Sequence, residues 1–245
     1  MKKFALIPAR HGSTRFPGKL MKLLGDKTVI RHTYENTVAT QLFDQVLVVT
    51  DSRIIYDEIV AHGGKAVMSK KEHESGSDRI AEAIADMDVD IVLNVQGDEP
   101  FVQKEPLEKL LQAFEGDAGH NVQVASLMYR FTDPEMVKEA SNVKVVVDLQ
   151  NNSLLFSRSV IPFPRDTDRE IPYYHHIGVY AFRKQALMDF TQWKITPLEA
   201  AEKIECLRYL EHGIQLKMIL IEAMGIGIDT PEDLERARKK LTEKS

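Results

Sequence analysis

The stretch Lys3-Phe4-Ala5-Leu6-Ile7-Pro8-Ala9-Arg10-His11-Gly12-Ser13-Thr14-Arg15-Phe16-Pro17-Gly18-Lys19 decides the fold class. Lys3 to Pro8 is a short apolar run of the kind that forms a buried strand. A loop carrying glycines, hydroxyls and three cations follows it at once. Open α/β sheets bind ligands at the carboxyl ends of their strands, so this loop stands where a ligand is expected. Gly12 and Gly18 let backbone N–H groups turn towards an anion. Ser13 and Thr14 add hydroxyl donors, and Arg10, Arg15 and Lys19 add positive charge suited to a triphosphate. The motif is not a P-loop, which has one residue fewer between its glycines and Ser or Thr after the lysine; here Leu20 stands there.

The same alternation continues outward. Gln45 to Thr50, Ala66 to Met68 and Ile91 to Val95 read as further strands. Val29 to Thr40, Ser52 to His62, Ser77 to Met87 and Glu105 to Phe114 read as amphipathic helices between or after them. Strands alternating with helices predict crossover units and a mostly parallel sheet. The later half is more mixed: Val122 to Tyr129, Val143 to Asp148, Leu154 to Ser157, Ile177 to Phe182 and Leu216 to Ile221 read as strands, with a hairpin turn at Asn151-Asn152. Ser141 to Pro172 has few helix signals and reads as a β-rich flap over a cleft. Pro197 to His212 reads as one helix, with Thr196 as N-cap and Gly213 beyond its end. Pro231 to Leu241 reads as the final helix, capped by Thr230 with Asp233 three residues on.

The chain has 245 residues, 43% hydrophobic and 28% charged, enough for one sizeable domain with its own core. Its single cysteine, Cys206, excludes an internal disulfide framework and fits a reducing compartment. The N-terminal apolar run is too short for a signal peptide, and no stretch approaches a membrane span. A net charge of −5 argues against wholesale nucleic-acid binding.

Four further motifs carry chemistry. Val92 to Pro100 is an apolar strand that ends in Gly97-Asp98-Glu99, and an acid at a strand tip is placed to hold magnesium against phosphate oxygens. Gly225-Ile226-Gly227-Ile228-Asp229-Thr230 lacks the third glycine of a dinucleotide fingerprint, so it reads as a loop presenting Asp229 before the last helix. Asp229 becomes a metal-ligand candidate only when paired with Asp98. Ser75-Gly76-Ser77-Asp78-Arg79 reads first as a helix cap and second as a pyrimidine-edge contact. Arg158 could clamp a carboxylate, whereas His175-His176 lacks a third ligand at zinc spacing, and no Gly-x-Ser-x-Gly elbow is present.

Taken in order, these motifs resemble the 3-deoxy-manno-octulosonate (Kdo) cytidylyltransferase family. The match runs over essentially the whole chain and includes Val143-Lys144-Val145-Val146, Phe156-Ser157-Arg158, His176-Ile177-Gly178-Val179-Tyr180 and Asp229-Thr230-Pro231-Glu232-Asp233-Leu234. The resemblance implies a nucleotide-diphospho-sugar transferase-like (Rossmann-like) α/β fold. It would be a single domain over 1–245, with a β-rich sugar-binding and dimerisation region at about 141–182. It implies transfer of CMP from CTP to the C2 hydroxyl of Kdo, in the cytoplasm, for lipopolysaccharide synthesis, by a homodimer that binds neither nucleic acid nor membrane. It implies that Arg10, Ser13, Arg15 and Lys19 hold the CTP phosphates, with Ser75, Gly76, Arg79 and Gln96 near the nucleotide. It further implies Mg2+ on Asp98 and Asp229, catalysis by Lys19, Arg10 and Asp98, and a sugar site of Arg158, His176, Tyr180 and Glu205. Two positions depart from the family pattern, His175 and Cys206, both in the sugar region. Rival readings are the same chemistry on 8-amino-Kdo or sialic acid, a glycosyltransferase consuming a nucleotide sugar, and a non-catalytic nucleotide-binding protein.

Overall fold

The computed structural model describes residues 1–12, 16–73, 75–116, 120–166, 170–222, 225 and 227–243. Its architecture is mixed α/β, with a mostly parallel sheet and flanking helices. The chain divides into two compact units: unit 1 holds Met1–Leu107 with Met224–Ser245, and unit 2 holds Glu108–Ala223.

Unit 1 opens with β1 (Lys3–Ala9), the two-residue strands β2 (Leu23–Leu24) and β3 (Lys27–Thr28), and α1 (Val29–Ala39). It continues through β4 (Gln45–Thr50), α2 (Arg53–Ala61), β5 (Ala66–Met68), α3 (Gly76–Ile84), β6 (Ile91–Asn94) and α4 (Lys104–Gln112), inside which the division between units falls. The strands stand in the order β6-β1-β4-β5, all parallel. β1 is paired on both edges, and Phe4, Ala5, Leu6 and Ile7 are all buried. That is why its sequence is a continuous apolar run rather than an alternation. The β2–β3 hairpin was not expected, since two-residue strands have no readable period; Gly25, at φ 67°, makes its turn.

Unit 2 contains β7 (Val124–Arg130), α5 (Pro134–Lys138), β8 (Lys144–Val147), β9 (Ser153–Ser157) and β10 (Tyr174–Arg183). It ends with α6 (Lys184–Phe190), α7 (Pro197–Glu202), α8 (Leu207–Glu211) and β11 (Leu216–Ile221). Its strands run β11-β7-β10-β8-β9; only β11 and β7 are parallel. The β8–β9 turn falls at the expected asparagines. Asn151 takes the left-handed conformation at φ 60°, and Asp148 Oδ1 accepts from the N–H groups of Gln150 and Asn152 at 2.9 and 2.7 Å. β10 begins three residues before the expected start because Tyr174 and His175 already pair with both β7 and β8.

The single helix expected from Pro197 to His212 is a correction: it is two short helices, α7 and α8. Lys203 ends α7 in the left-handed conformation at φ 54°. The break brings Arg208 back onto Glu199, with Nη2 to Oε1 at 2.6 Å and Nε to Oε2 at 2.7 Å. Along one helix those residues would be separated by about 13 Å of rise, so the ion pair and the continuous helix exclude each other. Thr196 flanks α7 as expected but makes no side-chain cap bond. Glu211 does the capping instead, its carboxylate accepting from Leu198 N–H at 3.1 Å.

The last element, α9 (Pro231–Glu243), belongs to unit 1. Thr230 and Asp233 cap it reciprocally: Asp233 N–H donates to Thr230 Oγ1 at 3.2 Å, and Thr230 N–H donates to Asp233 Oδ2 at 2.9 Å.

Candidate active site

The site in unit 1 is built on the carboxyl ends of β1 and β6. Gly18, at φ 66°, turns the chain after β1 into one 3-10 turn, Lys19–Met21. Lys19 Nζ then donates to Asp98 Oδ2 and, at 2.8 Å, to Asp229 Oδ1. Each acid has its own support. Gly97 presents Asp98: Thr33 Oγ1 donates to the Gly97 carbonyl at 2.9 Å, and a Cβ on Gly97 would stand 3.2 Å from the Pro8 carbonyl oxygen. Ile228 N–H donates to the Asp98 carbonyl at 2.9 Å, tying the two acid-bearing loops together. Asp229 N–H donates to the α9 cap residue Asp233 at 3.0 Å.

Residues from three distant parts of the chain thus meet at one ammonium. Burial opposes the charge on Lys19, but Asp98 and Asp229 outweigh it and hold the Lys19 pKa above its ordinary value. Glu99 lies beside this group and was missed by the sequence reading. Burial, then the charge of Asp98, pushes its carboxyl up to about 8. The adjacent acids before Pro100 were the available signal.

Ser75 caps α3, as first read, accepting from Asp78 N–H at 3.0 Å. Gly76 lies against Pro8, where a Cβ would come within 3.3 Å. Arg79 is buried, with Nη2 on Asp51 Oδ2 at 2.7 Å and Nη1 on the Ala9 carbonyl at 3.3 Å. It docks α3 onto the ends of β1 and β4. Burial works against the Asp51 charge, but Arg79, and more weakly Arg10, hold that carboxyl below its usual range. Asp51 was also missed, although it follows its strand as Asp98 follows β6. Arg10 is exposed at the end of β1, and Gln96 is half-buried. Ser13 and Arg15 lie outside the described residues.

In unit 2, His176, Tyr180 and Glu205 gather. The rings of His176 and Tyr180 are 5.5 Å apart, Tyr180 shares a hydrogen bond with Cys206, and the Glu205 charge acts on both Tyr180 and Cys206. Cys206 is buried, and burial pushes its thiol pKa up, so it is a packing residue rather than a nucleophile. Ser126 Oγ donates to the Ile177 and Val179 carbonyls at 2.9 and 3.0 Å and lies 3.2 Å from His176 Nε2. Burial, then His175, pulls the His176 pKa down to about 3; burial, then Lys144, pulls His175 to about 4. Both rings are therefore neutral at pH 7. Arg158 is placed differently. Its guanidinium donates to the carbonyls of Glu202, Ala140 and Lys203 at 2.7, 2.9 and 3.4 Å, at the end of α7.

Among the described residues, no group of three or more His, Cys, Asp or Glu side chains is placed to hold a metal ion, and no helix is long and apolar enough to cross a membrane. The donor set on hand for a cation is the Asp98–Asp229 pair.

The chain is similar to known proteins in both sequence and structure. The cytidylyltransferase family model matches residues 4–220. The chain is 60% identical to the 3-deoxy-manno-octulosonate cytidylyltransferase of Flavobacterium johnsoniae over 241 residues, covering 98% of this chain and 99% of that one. It is 56% identical to the enzyme of the same name from Christiangramia forsetii, covering 97% and 96%. A solved structure of CMP:2-keto-3-deoxy-manno-octonic acid synthetase, in complex with CTP, superposes with a TM-score of 0.94 at 37% identity over 100% of both chains.

Proposed function

Because the chain belongs to the 3-deoxy-manno-octulosonate cytidylyltransferase family, a family of nucleotidyltransferases, we propose that it transfers CMP from CTP to Kdo. The C2 hydroxyl oxygen of the sugar bonds to the α-phosphorus as the bond to the departing pyrophosphate breaks. The observation that carries the reading is the contact of one ammonium, Lys19, with both Asp98 and Asp229 at the end of a phosphate-suited loop.

The Asp98–Asp229 pair suits magnesium. Both carboxylates already reach a single cation, and they would offer magnesium the oxygen ligands it prefers. Magnesium bound there would neutralise phosphate charge and raise the acidity of the sugar hydroxyl. Lys19 and Arg10, with Ser13 and Arg15, offset the repulsion between two anionic substrates. Ser75, Gly76, Arg79 and Gln96 border the nucleotide, Arg79 acting through the docking of α3. His176, Tyr180 and Glu205 contact the sugar acid, and Arg158 holds the turn at the end of α7 that leads to Glu205. The stretch about 141–182 both covers the sugar and pairs two copies of the chain. Exposed Leu154, Leu155, Val160 and Phe163 support the pairing. The work takes place in the cytoplasm and supplies lipopolysaccharide synthesis.

Pyrophosphate release tests the proposal. CTP with Kdo and Mg2+ should release pyrophosphate in step with formation of a CMP-sugar. CTP alone, or CTP with sialic acid, should release little. Release that does not depend on Kdo would overturn the reading.

A further inference from the structure

The Lys19 side chain is largely buried, whereas Asp229 is about half exposed, at 13% and 47% of full side-chain accessibility. The ammonium is thus the inner partner of the two acids, and solvent reaches the pair from the Asp229 side. A magnesium ion bound to both carboxylates would stand about 2.1 Å from an oxygen of each. That position overlaps the space held by an ammonium 2.8 Å from Asp229 Oδ1 and also bonded to Asp98. Two cations in that space would repel strongly, so the seat holds one or the other. The lysine has somewhere to go: it sits on a flexible four-carbon stem just after the left-handed Gly18, and an ammonium satisfies its donors on any anionic oxygen.

We propose that Lys19 is a placeholder cation, seated between Asp98 and Asp229 in the nucleotide-free protein and transferred to the triphosphate when it arrives, so that nucleotide binding opens the metal seat. This rests on the reading of the acid pair as the magnesium site and adds the order in which that site fills. Before exchange, the lysine balances part of the charge of the two acids. After exchange, a dication balances both, and the lysine balances phosphate. The arrangement keeps two bare carboxylates from facing an incoming polyanion, and it disfavours loading of metal without nucleotide.

The test is a titration of the nucleotide-free, sugar-free protein with Mn2+ alone, followed by the electron paramagnetic resonance signal of free Mn2+. Lys19→Met should bind Mn2+ at least about tenfold more tightly than the unsubstituted protein, because a unit charge at contact distance is removed. Lys22→Met, which removes a lysine whose ammonium lies over the Phe16 ring, should match the unsubstituted protein. Adding Asp98→Asn and Asp229→Asn to Lys19→Met should abolish the tight site. If the two asparagines abolish binding but Lys19→Met does not tighten it, the placeholder role is overturned while the metal pair stands. If the asparagines leave Mn2+ binding unchanged, the reading of the pair itself fails. Lys19→Gln, read the same way, replaces Lys19→Met if that variant does not give a normal thermal melt.

Discussion

Gly97 carries more of the site than its size suggests. Its carbonyl is held by Thr33, its Cα faces the Pro8 carbonyl, and the residue after it is Asp98. A methyl group there would stand 3.2 Å from that backbone oxygen and 3.3 Å from Ile30 Cδ1, and the oxygen belongs to a central strand that cannot easily yield. Gly97→Ala should therefore cost about 1–3 kcal/mol in urea unfolding. It should also lower kcat by displacing Asp98, and a variant of unchanged kcat and stability would show that the loop accommodates the methyl. At this scale the sequence was informative where a functional side chain followed a recognisable strand, as Lys19 and Asp98 do. It was silent about partners whose meaning depends on another element. The family resemblance puts Arg79 near the nucleotide, and nothing near it in the chain announced that its guanidinium is met by Asp51 and the Ala9 carbonyl. Glu99 carries no mark of burial, because burial comes from segments distant in sequence.

Among the elements, β1 and β4 were legible because a strand buried on both faces is apolar throughout. The α7–α8 break was not, because its cause is a tertiary ion pair. Glu199 and Arg208 are both buried, and Arg208 also donates to the Phe190 and Trp193 carbonyls at 3.3 Å and stacks its guanidinium 4.0 Å from the Phe190 ring centroid. Removing one member of such a pair strands the other charge. Arg208→Met should cost about 3–5 kcal/mol, and Glu199→Leu added to it should recover part of that loss. Urea unfolding of the single and double variants checks this, and equal loss in both would show that the stranded carboxylate is not the cause. Thr196 teaches a related lesson: a sequence locates a helix start, but Glu211, thirteen residues after the Leu198 N–H it receives, supplies the cap.

At the scale of the whole molecule, the mixed α/β class followed from alternation alone, whereas the division into two units did not, because no linker marks it. Buried His176 contributes a pH dependence whose sign follows from its depressed pKa. His176 has a folded pKa of about 3 against an ordinary value of 6.5, so between those values the unfolded chain binds more protons. Its contribution is complete above about pH 6.5 and is lost as pH falls, with a slope of up to about 1.4 kcal/mol per pH unit. Glu99, raised to about 8, contributes the opposite slope, but equally in wild type and in a histidine variant. Urea midpoints measured from pH 6.5 to 5 should therefore fall less steeply in His176→Gln than in wild type. Parallel lines would remove His176 as the titrating group.

Unit 1 is assembled from the two ends of the chain, with all of unit 2 encoded between them. On the ribosome, Lys19 and Asp98 emerge long before Asp229, and the α9 cap that steadies Asp229 emerges later still. A nascent chain can complete unit 2 while the acid pair is still missing its second member. On the proposed reading, catalytic competence therefore waits for Asp229 and its α9 cap to be made, and a chain released after unit 2 but before Asp229 would be folded in part and chemically silent.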